Sequence, residues 1–308
     1  MKESNKHRSD RWRRFKRSKQ LYLIMLPAFA ATILFSYVPM YGVVLAFQKY
    51  NPTKGMFQQK WVGFRYFEML FGMEEIYRIL RNTVVFAVLK IVTLLLFSLL
   101  LALLLNEVKG RRTKAGIQAL ITFPHFLSWV VLGGIVRSLC AQDGIMNQVL
   151  MTLGMTNPIS FLGNGFWFRV VVVVSNLWQE AGFSAILYSA AISGVDVSLY
   201  EAAKIDGANR LQQTYHITLK CIMPFVVLLA VLNIGNVLNA GFDQIYNLYN
   251  SVVIDVADVI DTYAYRMGLL AGQYSFGTAI GLFKSVVSCA LIGVSYLIAD
   301  KKLGYRVF

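Results

Sequence analysis

Six apolar stretches, each long enough to cross a bilayer as a helix, leave this chain few folds to choose from. A hydrocarbon core needs about 20 consecutive apolar residues in α-helical form. The candidates are Leu21 to Phe47, about Asn82 to Leu105, about Ile117 to Leu139, about Phe168 to Ile192, about Ile222 to Gly241 and about Ile280 to Ala299. Pro27, Pro39 and Pro124 fall inside them and are tolerable where neighbouring helices satisfy the freed carbonyls. The chain is therefore read as an all-α membrane protein of six transmembrane helices. The first stretch has a basic flank and a small-residue triplet, Ala28-Phe29-Ala30, like a secretory leader. Its apolar run continues to Phe47, which is too long for a leader and predicts a retained span.

Charged residues make up only 15% of the sequence, well under the ~25% of a soluble domain, in line with membrane insertion. The net charge of +14 is read by position. Residues 1–20, a basic tail, hold nine of the 30 lysines and arginines. Lys109, Arg111, Arg112 and Lys114 follow in the 106–116 loop, and Lys301, Lys302 and Arg306 at the far end, whereas 138–168 has none. The positive-inside rule then puts both termini and the 106–116 and 194–221 loops in the cytoplasm. The 48–78, 140–167 and 242–279 segments lie outside, although 48–78 carries Lys49, Lys54, Lys60, Arg65 and Arg78. Such a distribution also attracts anionic membrane lipid. Arg11-Trp12-Arg13-Arg14-Phe15 abuts a span, so no nucleic-acid partner is expected. Cys140, Cys221 and Cys289 show neither metal-site nor disulfide spacing.

The 194–221 loop carries the most information. Ser198 with Glu201 three residues on reads as a capping box, and Gly207 as a helix stop. Ala202, Ile205 and Ala208 recur every three residues and would give a smooth stripe on which another protein could dock. A second helical stretch, about Asn209 to Leu219, leads back to the membrane, with Pro224 opening the next span. The residues alone fit a docking knob and an ordinary amphipathic connector equally well.

Glu201-Ala202-Ala203, then Gly207, then Ile217-Thr218-Leu219, with Asp206-Gly207-Ala208 inside it, resembles the cytoplasmic signature of bacterial binding-protein-dependent permeases. Lys220 departs from the pattern, where the family has proline. The likeness extends over roughly residues 20–305. Pro27 and Val38-Pro39, and the run from Asp143 to Asn147 and on through Leu153-Gly154-Met155, are similar to sugar permeases of the maltose-uptake type, especially those for complex oligosaccharides from plant polysaccharides. The resemblance implies the transmembrane domain of a type I ABC importer over residues 21–308, with a cytoplasmic coupling helix. It also implies a second, related permease subunit, two ATP-binding-cassette ATPases, an extracytoplasmic solute-binding protein and a carbohydrate substrate. Glu201, Ala202, Ala203, Asp206, Gly207 and Ala208 would form the surface that engages the ATPase.

The chain has no phosphate-binding glycine loop, and His7, His125 and His216 are scattered, so it reads as a non-enzyme without a cofactor. Polar groups within spans are costly and often functional. Asn176, Gln179 and Glu180 cluster on one face of span four; Asn233, Asn236 and Asn239, followed by Asp243, share one face of span five. These faces are expected to line a substrate path, with bonding between helices as the alternative. Lys90 and Lys284 are read as lysines that snorkel to the membrane surface. An ion-driven secondary transporter would need an internal repeat, which is not evident, and a non-transporting scaffold would not need a polar lining.

Overall fold

The computed structural model describes residues 19–55, 58–234 and 237–303. Most of the basic tail, Asn236 and Arg306 lie outside the described residues. Among the described residues, five helices are long and apolar enough to cross a membrane: 19–47, 74–107, 165–193, 210–233 and 274–297. A further apolar helix pair, bent by 100° at a short break, makes a sixth if it counts as one span.

Helix α1 (Lys19–Thr32) runs on through a π turn (Ile33–Tyr37) and a 3-10 segment (Val38–Phe47). Its residues 19–41 are exposed, and it reaches the rest of the chain through Val38–Phe47. A two-residue antiparallel ribbon, β1 (Gln48–Lys49) with β2 (Lys60–Trp61), and helix α2 (Arg65–Gly72) lead to α3 (Glu74–Glu107). Glu74 and Glu75 occupy the first turn of α3, where carboxylates complement the helix dipole. The bent crossing is α4 (Arg111–Thr122), a 3-10 turn (Phe123–Phe126) containing Pro124, and α5 (Trp129–Leu139). The straight third span expected from Ile117 to Leu139 is thus broken at Leu127 and Ser128.

Beyond α5, helix α6 (Ile145–Thr152) is anchored by buried Asn147, whose amide donates to the Ala141 and Ile159 carbonyls (both 3.0 Å) and accepts from the Ile159 N–H (2.8 Å). Helix α7 (Gly165–Ser193) is N-capped by Asn164, which accepts from the Phe166 and Trp167 amides. Then follow α8 (Val197–Ile205) and α9, a continuous helix of Arg210–Gln213, a π turn (Thr214–Thr218) and Leu219–Ile234. This corrects two boundaries. Span five starts at Arg210 rather than Ile222, and Pro224 sits inside the helix rather than opening it. Short helices α10 (Phe242–Leu248), α11 (Ile254–Ala257) and α12 (Ile260–Tyr265) precede the last span, α13 (Tyr274–Leu303).

Three apolar clusters hold the bundle. Ala102, Leu105, Ala185, Tyr188, Ile192 and Ile222 join α3, α7 and α9 near the 194–209 loop. Phe86, Phe168, Val172, Ile245 and Leu248 join α3, α7 and α10 toward the other end. Leu70, Ile76, Ile79, Ile260, Tyr263 and Phe276 join α2, α3, α12 and α13. The outward residues of α3 from Val84 to Leu104 are apolar, among them Val84, Val88, Val92, Leu96, Phe97, Leu100 and Leu104, as a lipid-facing surface requires. The closest approach in the bundle is at Gly182 of α7, where a Cβ would stand 2.0 Å from the Ile121 carbonyl oxygen. Only glycine lets the bent crossing lie flat on α7. Gly182→Val should therefore destabilise the chain by about 3 kcal/mol or more, since backbone cannot yield as a side-chain tip does. The thermal unfolding temperature of the purified protein checks this, and it should fall by several degrees.

Candidate functional site

The exposed loop at the 194–209 end is built from α8 outward. Asp196 is the N-cap; its carboxylate accepts from the Ser198 N–H at 3.0 Å, and this bond holds its pKa below the usual value. Ser198 lies within the first turn, so the expected Ser198–Glu201 capping box does not form. The exit is as expected. Gly207 has φ +80°, its N–H donates to the Lys204 carbonyl (3.1 Å) and the Ala208 N–H to the Ala203 carbonyl (2.8 Å), a Schellman motif. Asn209 and Gln212 then form a true capping box at the start of α9.

Glu201, Ala202, Asp206 and Gly207 are exposed and Ala203 and Ala208 half-buried, so all six predicted residues gather on one protrusion. Apolar Val197, Ile205 and Leu211 are also exposed there, Ile205 at 87%, which the search for small residues passed over at 197 and 211. The knob is tied to the bundle by Tyr200 to Thr218 (2.9 Å between hydroxyls), Gln213 Nε2 to the Ala208 carbonyl (2.8 Å) and Arg210 to Glu107 (3.3 Å). Lys220, in place of the proline of the signature, sits in uninterrupted helix just after the π turn.

The second region lies halfway along the spans, around two breaks. Gln179, the middle residue of α7, is buried and donates to the Leu127 carbonyl (3.1 Å) at the break in the bent crossing. Glu180 meets His125 (Oε2 to Nδ1, 3.1 Å), and the imidazole stacks on Phe183 at 4.2 Å between centroids. Asn176 is half-buried one turn from Glu180, on the same face. Span four's polar cluster thus faces the broken crossing, and two of its three members bond to it.

Span five differs from expectation. Helix α9 is described to Ile234, and Val237 to Ala240 are not helical, so Asn239 lies outside the helix and does not share a helical stripe with Asn233. Asn233 is half-buried and returns its amide to the Leu229 carbonyl of its own helix (2.8 Å). Asn239 is exposed. The break is held by groups that sequence reasoning read otherwise. Lys90, midway along α3, does not snorkel; it is buried and donates to the Ala240 carbonyl at 2.5 Å. Gln244 is buried and donates to the Val172 carbonyl (2.7 Å) and to Ser175 Oγ (2.8 Å). Between them Gly241 has φ +89°, and a Cβ there would stand 3.0 Å from Lys90 Nζ. Lys284 likewise pairs, with Asp261 at 2.5 Å, and Arg266 pairs with buried Asp258. No acceptor for Lys90 is visible in the residue order, because its partner is a backbone oxygen.

A bundle of five apolar spans and one bent helix pair, with paired polar groups at mid-depth and a capped helix protruding from one end, is the architecture of a membrane permease subunit. Residues 94–305 match the family described as binding-protein-dependent transport system inner membrane component, and the chain belongs to it. It is 43% identical over 284 residues to Protein LplB of Bacillus subtilis (strain 168), covering 92% of this chain and 89% of that one. It is also 43% identical to the polygalacturonan/rhamnogalacturonan transport system permease protein YteP of the same organism, covering 92% and 88%. The fold matches a crystal structure of a bacterial ABC transporter involved in the import of the acidic polysaccharide alginate, with a TM-score of 0.85, 35% identity, and 94% and 98% of the two chains covered.

The clamp on the span-five break generates a coupled prediction. Gly241→Ala should cost about 1–2 kcal/mol from the left-handed backbone alone, plus the displacement of Lys90. Lys90→Met removes the ammonium and leaves the Ala240 carbonyl short of a donor, at roughly 1–3 kcal/mol. The two residues touch, so the double variant should lose less than the sum. Melting temperatures of the four proteins in the cycle provide the check.

Proposed function

We propose that this chain is the carbohydrate-translocating permease of an ATP-driven importer, coupled to its ATPase through Glu201, Ala202, Ala203, Asp206, Gly207 and Ala208. The observation that carries this reading is the Schellman-capped helix Val197–Ile205, exposed at its tip and braced at its base. Relatives that import polygalacturonan, rhamnogalacturonan and alginate support a complex, uronate-containing oligosaccharide as the solute. The working unit would contain a second permease, two ATPases and an extracytoplasmic solute-binding protein; a related transporter has been crystallised with a pentasaccharide-bound periplasmic protein. The chain's part in this is transport, with ATP hydrolysed by the partner subunits.

In this reading both termini and the 106–116 and 194–209 loops are cytoplasmic. Asn176, Gln179, Glu180 and Asn233 then flank the solute path at mid-membrane, with Asn239 in the non-helical stretch before α10. Gln179 and Glu180 act there by holding the bent crossing, and Asn176 is the span-four amide best placed to meet sugar hydroxyls, which it can serve as donor and acceptor.

Two measurements test the proposal. Reporter tags should give a cytoplasmic signal from the 106–116 loop; an external signal would sink the orientation. Glu201→Ala should weaken ATPase co-purification and oligosaccharide uptake, by about 2 kcal/mol or more if its carboxylate is buried against a cation in the complex. Gly207→Pro should abolish both, because proline holds φ near −65° where the loop needs +80°. Membrane insertion should be unchanged in each, and wild-type coupling in both variants would remove the docking role.

A further inference from the structure

Helix α10 has two unlike faces. Gln244, Ile245 and Leu248 are buried against α3 and α7. The other face carries Phe242, Asp243 and Tyr246, with Tyr249 at the C-cap, a spacing of three to four residues that aligns them. Asp243 and Tyr246 are exposed, Tyr246 at 37%. Tyr265 at the end of α12 completes a cluster of four rings. Phe242 stacks on Tyr246 (5.3 Å, 16°), and Tyr265 meets both edge-on at 5.2 Å. Tyr249 is tilted against Tyr246 at 6.0 Å.

Depth and composition say what this face meets. The Gln244 bonds to Val172 and Ser175 put α10 about 10–15 Å in from the Gly165 end of α7, at a rise of 1.5 Å per residue, and so within the span. A carboxylate and three phenols at that level contrast with the exposed face of α3 from Val84 to Leu104, which is wholly apolar. An ionisable group facing hydrocarbon costs about 2.5–3.5 kcal/mol, so such a face turns to protein or water. Pyranose rings have hydroxyls at their rims and apolar C–H faces, and tyrosine matches both: the ring's negative face takes the C–H bonds and the phenol the hydroxyls.

We propose that Phe242, Tyr246 and Tyr265 form an aromatic subsite that stacks on a sugar ring of the oligosaccharide before it reaches the Lys90–Ala240 clamp, with Tyr246 the contact residue and Asp243 bonding the ring's hydroxyls. This rests on the carbohydrate reading above and adds to it a second, outer station on the path, nearer the Gly165 end of α7 than Lys90 and the span-five break. Tyr249 supports the platform from behind.

The test uses the assembled importer in proteoliposomes, with galacturonate, rhamnogalacturonate and neutral arabinose oligosaccharides as probes. Tyr246→Ala should lower uptake at limiting oligosaccharide about tenfold, the scale of one aromatic contact, with the maximal rate less affected. Tyr246→Phe should retain most of the activity. Independently, a spin label on Tyr246→Cys should be relaxed by water-soluble nickel complex rather than by lipid-soluble oxygen, and a transported oligosaccharide should shield it. Preferential access from lipid would mean that the rings are an interfacial belt and would overturn the subsite while leaving the transport reading intact, as would wild-type uptake by Tyr246→Ala. Failure of the wild-type importer to take up any of the oligosaccharides would instead overturn the carbohydrate reading, and the subsite with it.

Discussion

Backbone polar groups at membrane depth have no water to satisfy them, and both broken crossings put such groups there. The break at Leu127 is closed by Gln179 from α7, and the break at Ala240 by Lys90 from α3. The donors stand halfway along the two helices that form the spine of the bundle. Gln244 fixes the far side of the second break onto α7 in the same way. Each is a side chain spent on a carbonyl, and each converts an irregular segment that hydrocarbon would reject into one with a defined path. The chain can thus keep non-helical backbone in the membrane, where a solute needs exposed polar groups and a helix would offer none.

The glycines fit the same logic. Gly182 admits the bent crossing to van der Waals contact with α7, and Gly241 supplies the left-handed turn beside the Lys90 ammonium. The ion pairs Lys284 with Asp261 and Arg266 with Asp258 pin α12 to α13 and to its own lead-in. A charge buried without such a partner would be strongly destabilising, so paired placement is what makes these residues tolerable inside the bundle.

The apolar spans and the 194–209 protrusion were legible from residue order, because hydrophobic length and helix caps are local signals. Gly207 could be read as a stop since only glycine takes φ +80° without cost. The N-cap was misplaced by two residues because Asp196 and Ser198 are both competent caps, and which one wins depends on the backbone before Val197. The asparagine stripe failed for a different reason. Its periodicity assumed that an apolar run through Gly241 remains helical, and Val237 to Ala240 are not helical. Where it goes is settled by Lys90 and Gln244, whose acceptors are carbonyls and a hydroxyl far away in sequence. Long-range bonds to backbone leave no trace in composition or spacing.

The protrusion and the span-five break are the two ends of one element. Helix α9 begins in the Asn209 capping box, directly after the Schellman turn that ends α8, and continues without interruption to Ile234. Tyr200 and Gln213 lock α8 to its base, so α8 and α9 cannot rotate independently without losing both bonds. Beyond Ile234, Lys90 and Gln244 hold the chain at Ala240 and in α10. In the proposed reading, a displacement applied at Glu201 would be carried along about 35 Å of continuous helix toward that clamp. A stiff helix that ends beside a clamped mid-membrane turn suits a bundle that switches between two discrete packings.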